Sequence, residues 1–500
     1  MLRKVDNITQ SLPALLSGIL LSLSFPKINF SLAAYIAFIP LFFALRDESE
    51  RRKAFFLSFV CGIVFFGITI FWLKNVSIPG YIILTTVLSI FFGIFGICFL
   101  YIKEYPLWRL FLLPACWVVL EYMRSTLFTG FGWALLGHSQ YLNIPIIQIA
   151  DITGAYGISF AIMLVNLSLY SLLDKDKKAL PALLICLFML TAMLGYGYFR
   201  LSESSKRTDV LNISVIQGNI PQEKKWDSAY KEEILDIYTA LTKGAAVGET
   251  DLIIWPETSL PGYIQEMDLL DRVLSLAKDV DAYILIGAPS VGGPKREDIF
   301  NSAILISDNG DVVGQYNKLH LVPFGEYIPL ERYIRLLRFI IDKPIGTFTR
   351  GDEYTVFKLE NGARFASLIC SEDIFPGLVR NFAKRDIDFL VNITNDAWFL
   401  NTGAPYQHAQ SSVFRAVENR MPVIRAANTG LSCFIDADGR ITDTVRIDGE
   451  EIFITGYKRA SVGIYERESL YKRFGDVFVL FCAISLVIGG GIVCLKRYSS

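Results

Sequence analysis

Charge is scarce in this chain of 500 residues: Asp, Glu, Lys and Arg together make up 19%. Lys and Arg form no long run, and the formal net charge is −1. Nothing therefore supplies the basic face that nucleic-acid binding requires. Only three histidines occur, and no Cys/His spacing matches a zinc site, so neither a metal nor a diffusible cofactor is expected. Repeats and low-complexity stretches are missing as well. A disulfide framework is also lacking. Of eight cysteines, six (Cys61, Cys98, Cys116, Cys186, Cys482 and Cys494) lie in apolar segments. Only Cys370 and Cys433 lie in the more polar middle of the chain, and both are expected to be free.

What the chain does have is apolar residues, 52% of the total, with a mean hydropathy of +0.41. That is too apolar for an ordinary soluble protein. The apolar runs fall at about 11–25, 30–45, 54–73, 81–102, 107–123, 156–173, 179–199 and 474–495. Most approach the ~20 residues that cross a bilayer core. The first run follows the basic start Arg3-Lys4 and resembles a signal peptide, but no small-x-small cleavage site follows it. It is read as a membrane helix. The division expected is a membrane domain over 1–205 with about seven spans, a catalytic domain over 206–467, and a last span with a short cytoplasmic tail over 468–500.

Basic residues in short loops set the orientation. Arg3 and Lys4, the loop from Arg46 to Lys53, Lys103 with Arg109, Lys175 to Lys178, and Lys496 with Arg497 all fall on one side if eight spans are counted. That side is the cytoplasm, so the middle domain is expected on the outer face. One outer connection, 124–156, is unusually long. It holds Thr129-Gly-Phe-Gly-Trp133, Gly137-His138-Ser-Gln140 and Gly154-Ala-Tyr-Gly157. Gly and aromatic residues there suit contact with lipid headgroups, or a re-entrant loop of purely structural use.

Between about 210 and 465 the pattern changes. Short apolar runs at 211–216, 252–255, 282–286, 302–306, 365–369, 389–392 and 423–425 alternate with helical stretches such as 227–243, 267–279 and 407–420. Asn309-Gly310 and Asp438-Gly439 mark hairpin turns. Strands alternating with helices indicate a layered α/β sheet.

Three residues in this part carry chemistry. Glu257 follows the strand 252–255, at the edge where α/β proteins place their sites; taken alone it is an ordinary rim carboxylate. Lys318 lies in Tyr316-Asn-Lys-Leu-His320-Leu-Val-Pro-Phe-Gly325-Glu326-Tyr327-Ile-Pro329, a mix of charge, Gly, Pro and aromatics that suits a binding loop; taken alone it is a solvated lysine. Cys370 ends the apolar run Phe365–Ile369 and is followed by Ser371-Glu372-Asp373, which reads as a helix start. A helix start favours a thiolate, although most buried free cysteines are inert. Together the three make a set: a base, an oxyanion partner and a nucleophile for acyl transfer through a thioester.

The order Glu257, Lys318, Cys370 resembles the Glu-Lys-Cys triad of the nitrilase superfamily. The matching stretches are Trp255-Pro-Glu-Thr258, Tyr316 to Tyr327, Ile369-Cys-Ser-Glu-Asp373, Asn392-Ile-Thr-Asn-Asp-Ala-Trp-Phe399 and Asn428-Thr-Gly430. The membrane flanks and His320-Leu-Val-Pro-Phe-Gly-Glu-Tyr327 resemble one branch, the apolipoprotein N-acyltransferases, over nearly the whole chain. That resemblance implies a polytopic α-helical membrane domain and an extracytoplasmic α/β nitrilase-like αββα sandwich, with the sandwich on the periplasmic side of a bacterial inner membrane. It implies a phospholipid donor, mainly phosphatidylethanolamine, attacked by Cys370 to give an acyl-enzyme. The acceptor implied is the α-amino group of the diacylglyceryl-cysteine of an apolipoprotein. Glu326 matches a glutamate that orients Lys318, Glu372 one that follows the nucleophile, and Trp226 a tryptophan near the lipid entrance. Trp133, His138, Gln140, Tyr327, Asn395 and Trp398 are candidate substrate contacts. Ser371 stands where some relatives carry an aromatic.

Two other readings remain open at this point. A membrane-tethered amidase or nitrilase would use water as acceptor, and eight spans argue against a mere tether. An inert lipoprotein-binding module would not need the intact triad. Nothing in the sequence requires more than a monomer.

Overall fold

The structure, a computed structural model, describes residues 2–203, 207–293, 297–327 and 348–499. The end of the Lys318 loop motif, beyond Tyr327, lies outside the described residues. Two compact units emerge, one formed by residues 1–203 with 473–500 and the other by 204–472.

The first unit is helical: α1 (Leu2–Leu23), α2 (Ile39–Arg46), α3 (Arg51–Thr69), α4 (Ile78–Ile102), α5 (Pro106–Thr126), the single turns α6 (Ile144–Ile147) and α7 (Ala150–Thr153), α8 (Ala155–Leu173) and α9 (Ala179–Ser202). Among the described residues, α3, α4, α5, α8 and α9 are long and apolar enough to cross a membrane. The other expected spans are shorter apolar segments, Ser11–Leu23, Ser31–Arg46 and Val477–Val493. Helix α4 starts where Ser77 accepts a hydrogen bond from the Gly80 amide at 3.1 Å, and its outer face, with Ile83, Val87 and Ile90, is exposed. Small residues let α3 and α4 approach closely. A Cβ on Gly96 would lie 2.5 Å from the Ala54 carbonyl oxygen.

The expected second span does not form one helix. Residues Ser31–Tyr35 make a 3-10 turn, and α2 has eight residues, about 12 Å of helix at ~1.5 Å per residue. Irregular backbone is tolerated at membrane depth only where protein covers it. Here Ala33, Ala34, Ala37, Phe38, Leu41 and Phe42 are fully buried. Asn166 on α8 accepts from the Phe38 amide at 2.9 Å and donates to the Ala34 carbonyl at 2.8 Å. Ser17 on α1 accepts from the Leu41 amide at 2.9 Å. Hydropathy alone cannot see such a break, because both arrangements are equally apolar.

Several of the basic loops share one end of this unit. Arg46 pairs with Asp174 at 3.2 Å, Lys103 donates to the Arg46 carbonyl at 2.7 Å, and Arg109 pairs with Asp176 at 2.5 Å. The long connection 124–156 packs inward. Arg124 donates to the carbonyls of Phe131, Trp133 and Ala134 at 2.8–2.9 Å.

Among the described residues the second unit holds twelve strands in two six-stranded sheets. They are β1 (Arg207–Gln217), β2 (Leu252–Ile254), β3 (Tyr283–Gly292), β4 (Asp298–Ile306), β5 (Val312–Asn317), β6 (Phe357–Lys358), β7 (Arg364–Ile369), β8 (Phe389–Thr394), β9 (Val423–Ala427), β10 (Cys433–Ile435), β11 (Ile441–Thr444) and β12 (Gly456–Tyr465). The orders are β12-β1-β2-β3-β4-β5 and β11-β10-β9-β8-β7-β6. In each sheet three central strands run parallel, β1-β2-β3 and β7-β8-β9. Helices α10 (Lys231–Ala245) and α11 (Met267–Val280) cover the first sheet through Leu235, Tyr238, Val273 and Leu276. Helices α12 (Pro376–Ala383) and α13 (Ala404–Asn419) lie against the second, and the two sheets face each other. The result is an αββα sandwich. After the sandwich come the five-residue α14 (Leu470–Phe474) and the 23-residue α15 (Val477–Ser499), the latter part of the helical unit.

Strands buried on both faces read as unbroken apolar runs, and these were legible; β8 is buried throughout. The edge strands β5, β6, β11 and β12 were not, because exposed positions interrupt them. Both expected turns join antiparallel pairs, β4 to β5 and β10 to β11.

Replacing Asn166 by Ala leaves the Phe38 amide and the Ala34 carbonyl without that partner. We expect a loss of about 1–3 kcal/mol, seen as a lower melting temperature of the full chain in detergent. An unchanged melting temperature would show that this side chain does not hold the break.

Candidate active site

The parallel strands bring their carboxyl ends together where the sheets face each other. Glu257 follows β2, Cys370 follows β7, Asn395 follows β8 and Asn428 follows β9. Hydrogen bonds cross between the sheets at this edge. The Asn395 amide donates to Glu257 Oε2 at 2.9 Å, and the Ile220 amide to Asn428 Oδ1 at 2.9 Å.

Lys318, next to the end of β5, is almost wholly buried. Its Nζ lies 2.9 Å from Glu326 Oε1 and 3.7 Å from Glu257 Oε1. Asn301 on β4 bridges the same two carboxylates, donating to Glu257 Oε1 at 2.8 Å and Glu326 Oε1 at 2.9 Å. Burial works against the charge of Lys318, but the Glu326 and Glu257 carboxylates help to outweigh it and hold its pKa well above the usual lysine value. The ammonium is therefore permanent, as an oxyanion partner requires.

Cys370 sits in a left-handed conformation, φ 54°, at the head of a single 3-10 turn, Cys370–Ile374. Sequence reasoning expected a helix start that favours a thiolate. The turn is only five residues long, and the electrostatics run the other way. Burial first, then Glu257, pushes the Cys370 thiol well above its ordinary pKa, and Lys318 offsets this only in part. At rest Cys370 is a neutral thiol, and Glu257 is the carboxylate that acts on it most strongly. Cys370 and Cys433 are both free.

Glu372 ties the nucleophile's turn to the lysine's loop. Its carboxylate accepts from the amides of Ile369 at 2.8 Å, Leu319 at 2.7 Å and His320 at 2.9 Å, and from the Tyr316 hydroxyl at 2.8 Å. Burial raises its pKa to about 7 in spite of those donors. Beneath the turn, Asn392 Nδ2 donates to the Cys370 carbonyl at 2.9 Å. His408 lies between Asp373, 3.0 Å from Nε2, and Asp396, 2.9 Å from Nδ1. Burial opposes the imidazolium, but the two aspartates outweigh it and raise His408 to about 9. Arg425 closes the cluster, with Nη1 2.7 Å from Asp373 Oδ2.

The structure thus brings Glu257, Lys318, Cys370, Glu326 and Glu372 together, with the Asn395 amide on Glu257. Trp226 is 48% exposed, next in the chain to the buried Lys225. Tyr327 and Trp398 are half-buried. Trp133, His138 and Gln140 belong to the other unit and are buried there; Gln140 donates to the Ser31 carbonyl at 3.0 Å and accepts from Tyr35 at 3.3 Å. Sequence reasoning missed Asn301, Lys225 and His408. The available signal was a polar residue at the start of an apolar run, as in Asn301-Ser-Ala-Ile-Leu-Ile306. Among the described residues no cluster of metal-binding type occurs.

Glu372→Ala leaves three amides and one hydroxyl without their acceptor. We expect a loss of at least about 3 kcal/mol in the unfolding of the catalytic unit, at ~1–3 kcal/mol per orphaned donor. Cys370→Ala should melt like the native chain, and equal melting of all three would refute the bridging role of Glu372.

Comparison with known proteins identifies relatives of this chain. Residues 17–168 match the family described as apolipoprotein N-acyltransferase N-terminal domain, and residues 212–467 match carbon-nitrogen hydrolase. The apolipoprotein N-acyltransferase of Geobacter metallireducens is 38% identical over 510 residues, covering 97% of this chain and 95% of its own. That of Pasteurella multocida is 31% identical over 511 residues, with the same coverage. A crystallised amidase from Nesterenkonia sp. is 20% identical with a TM-score of 0.40, covering 56% of this chain and 99% of its own.

Proposed function

The chain belongs to the apolipoprotein N-acyltransferase family and is an acyltransferase, and from that premise we propose that Cys370 carries an acyl chain from a membrane phospholipid to the N-terminus of an apolipoprotein. The observation that carries the reading is the buried, charge-compensated set of Lys318, Glu326 and Glu257 around a neutral Cys370 thiol. The donor is phosphatidylethanolamine or a similar phospholipid. The acceptor is the α-amino group of a diacylglyceryl-cysteine.

In the first half-reaction Glu257 takes the thiol proton as sulfur bonds to the ester carbonyl carbon. The oxyanion that forms is met by the Lys318 ammonium. The carbon–oxygen ester bond then breaks, and the departing alkoxide takes the proton back from Glu257 and leaves as lysophospholipid. In the second, the neutral acceptor amine attacks the thioester carbonyl. Glu257 accepts its proton and returns it to sulfur as the carbon–sulfur bond breaks, leaving an amide and the free thiol. No metal or cofactor enters.

Both substrates carry acyl chains that would cost about 0.8 kcal/mol per CH₂ to expose to water. That supports a catalytic unit joined to apolar helices. The five apolar helices fit a multi-pass membrane protein. Helix α9 begins beside the basic loop at 174–178 and is long enough to cross, which supports a periplasmic catalytic unit on a bacterial inner membrane.

The test is to give the full chain in detergent phosphatidylethanolamine labelled in its acyl chain, with no acceptor. A hydroxylamine-sensitive label on Cys370 is expected, absent in Cys370→Ala, and a diacylglyceryl peptide should then take it on its amine. No label, or one that survives Cys370→Ala, sinks the acyl-enzyme. Discharge to water despite the peptide would favour an amidase-like hydrolase.

A further inference from the structure

Lys225 takes no part in the chemistry above, yet it is a lysine with only 3% of its surface exposed. Its Nζ donates to the main-chain oxygen of Glu257 at 2.8 Å and to Thr258 Oγ1 at 2.9 Å. These acceptors lie on either side of one peptide bond. Thr258 has φ 46°, a left-handed conformation that a β-branched residue rarely adopts. On its other side the turn abuts β3 with no slack. A Cβ on Gly287 would lie 2.5 Å from the Pro256 oxygen and 2.6 Å from the Thr258 nitrogen.

The same loop reaches the other end of Glu257. Gln222 Oε1, three residues before Lys225, accepts from Asn395 Nδ2 at 2.7 Å. Asn395 in turn donates its amide to Glu257 Oε2 at 2.9 Å. The segment 218–227 therefore holds the base by its backbone through Lys225 and by its carboxylate through Asn395. The next residue, Trp226, is half exposed.

We infer that Lys225 is a positioning residue for acyl transfer, fixing the strained peptide that carries Glu257 and tying that base to the loop bearing Trp226. The inference rests on Glu257 serving as base to Cys370. Misplacing a reacting group by about 1 Å costs on the order of 100-fold in rate, so a turn held in an unfavourable conformation needs such a clamp. The titratable groups facing Lys225 are the Glu257 carboxylate, after β2, and the Cys370 thiol, after β7. Burial draws the ammonium down to about 7, and Glu257 and Cys370 only partly restore it. As pH rises through that value the clamp passes from charge-assisted to neutral hydrogen bonds, which are about half as strong.

The test compares native full-length protein with Lys225→Met. Two rates are followed across pH: acylation of Cys370 by labelled phosphatidylethanolamine, and alkylation of Cys370 by iodoacetamide without lipid. The native lipid rate should fall as pH rises through about 7. In K225M both rates should drop by about 100-fold with KM for the lipid nearly unchanged, and the limb near 7 should vanish. Native rates in K225M, or a slow variant that keeps that limb, overturn the inference; Glu372, also near 7, would then own the limb. If K225M fails to fold, Thr258→Val removes one acceptor, and a native rate and profile in T258V overturns it equally. If the native protein takes no lipid label, the donor reading fails, and the alkylation arm still decides the role of Lys225.

Discussion

The catalytic unit depends on one buried cation. Lys318 has lost its water, and the desolvation penalty for an ammonium in such a place is several kcal/mol. Glu326 at 2.9 Å and Glu257 at 3.7 Å offset it, and Asn301 holds those two carboxylates at a shared spacing. The same acids that keep the lysine charged raise the thiol beside them. One arrangement therefore keeps Lys318 charged and the Cys370 thiol protonated at rest. Under the proposed function a neutral thiol suits a site that waits for lipid, because the thiolate would form only when Glu257 takes its proton beside a substrate.

Cys370 is held from two directions. Above, Glu372 gathers the amides of Ile369, Leu319 and His320 and so fixes the Cys370 turn to the Lys318 loop. Below, Asn392 grips the Cys370 carbonyl, and the Asp373, His408, Asp396 and Arg425 cluster stands under the turn. A left-handed cysteine costs about 1–3 kcal/mol and persists only where its surroundings over-determine it.

Much of this was legible in the sequence. Glu257, Cys370 and Asn395 each follow an apolar run, because parallel strands buried on both faces end at the edge where the site forms. What stayed hidden is what distant residues do to one another. Asn301 and Lys225 act on Glu257 across 44 and 32 residues, and Asn395 across 138. The broken second span was hidden for the same reason, since its partner Asn166 lies 128 residues from Phe38. The expected thiolate failed because a local pattern, polar residues after a strand, was weighed without the acids that the fold packs around Cys370.

The central claim is that Cys370 rests as a thiol and relies on Glu257 for its activation. The most direct measurement is the thiolate ultraviolet absorbance of the full chain across pH, taken as the difference from Cys370→Ala. The account predicts that this thiolate appears only above pH 9, the ordinary cysteine value. A thiolate already formed near neutral pH would contradict it.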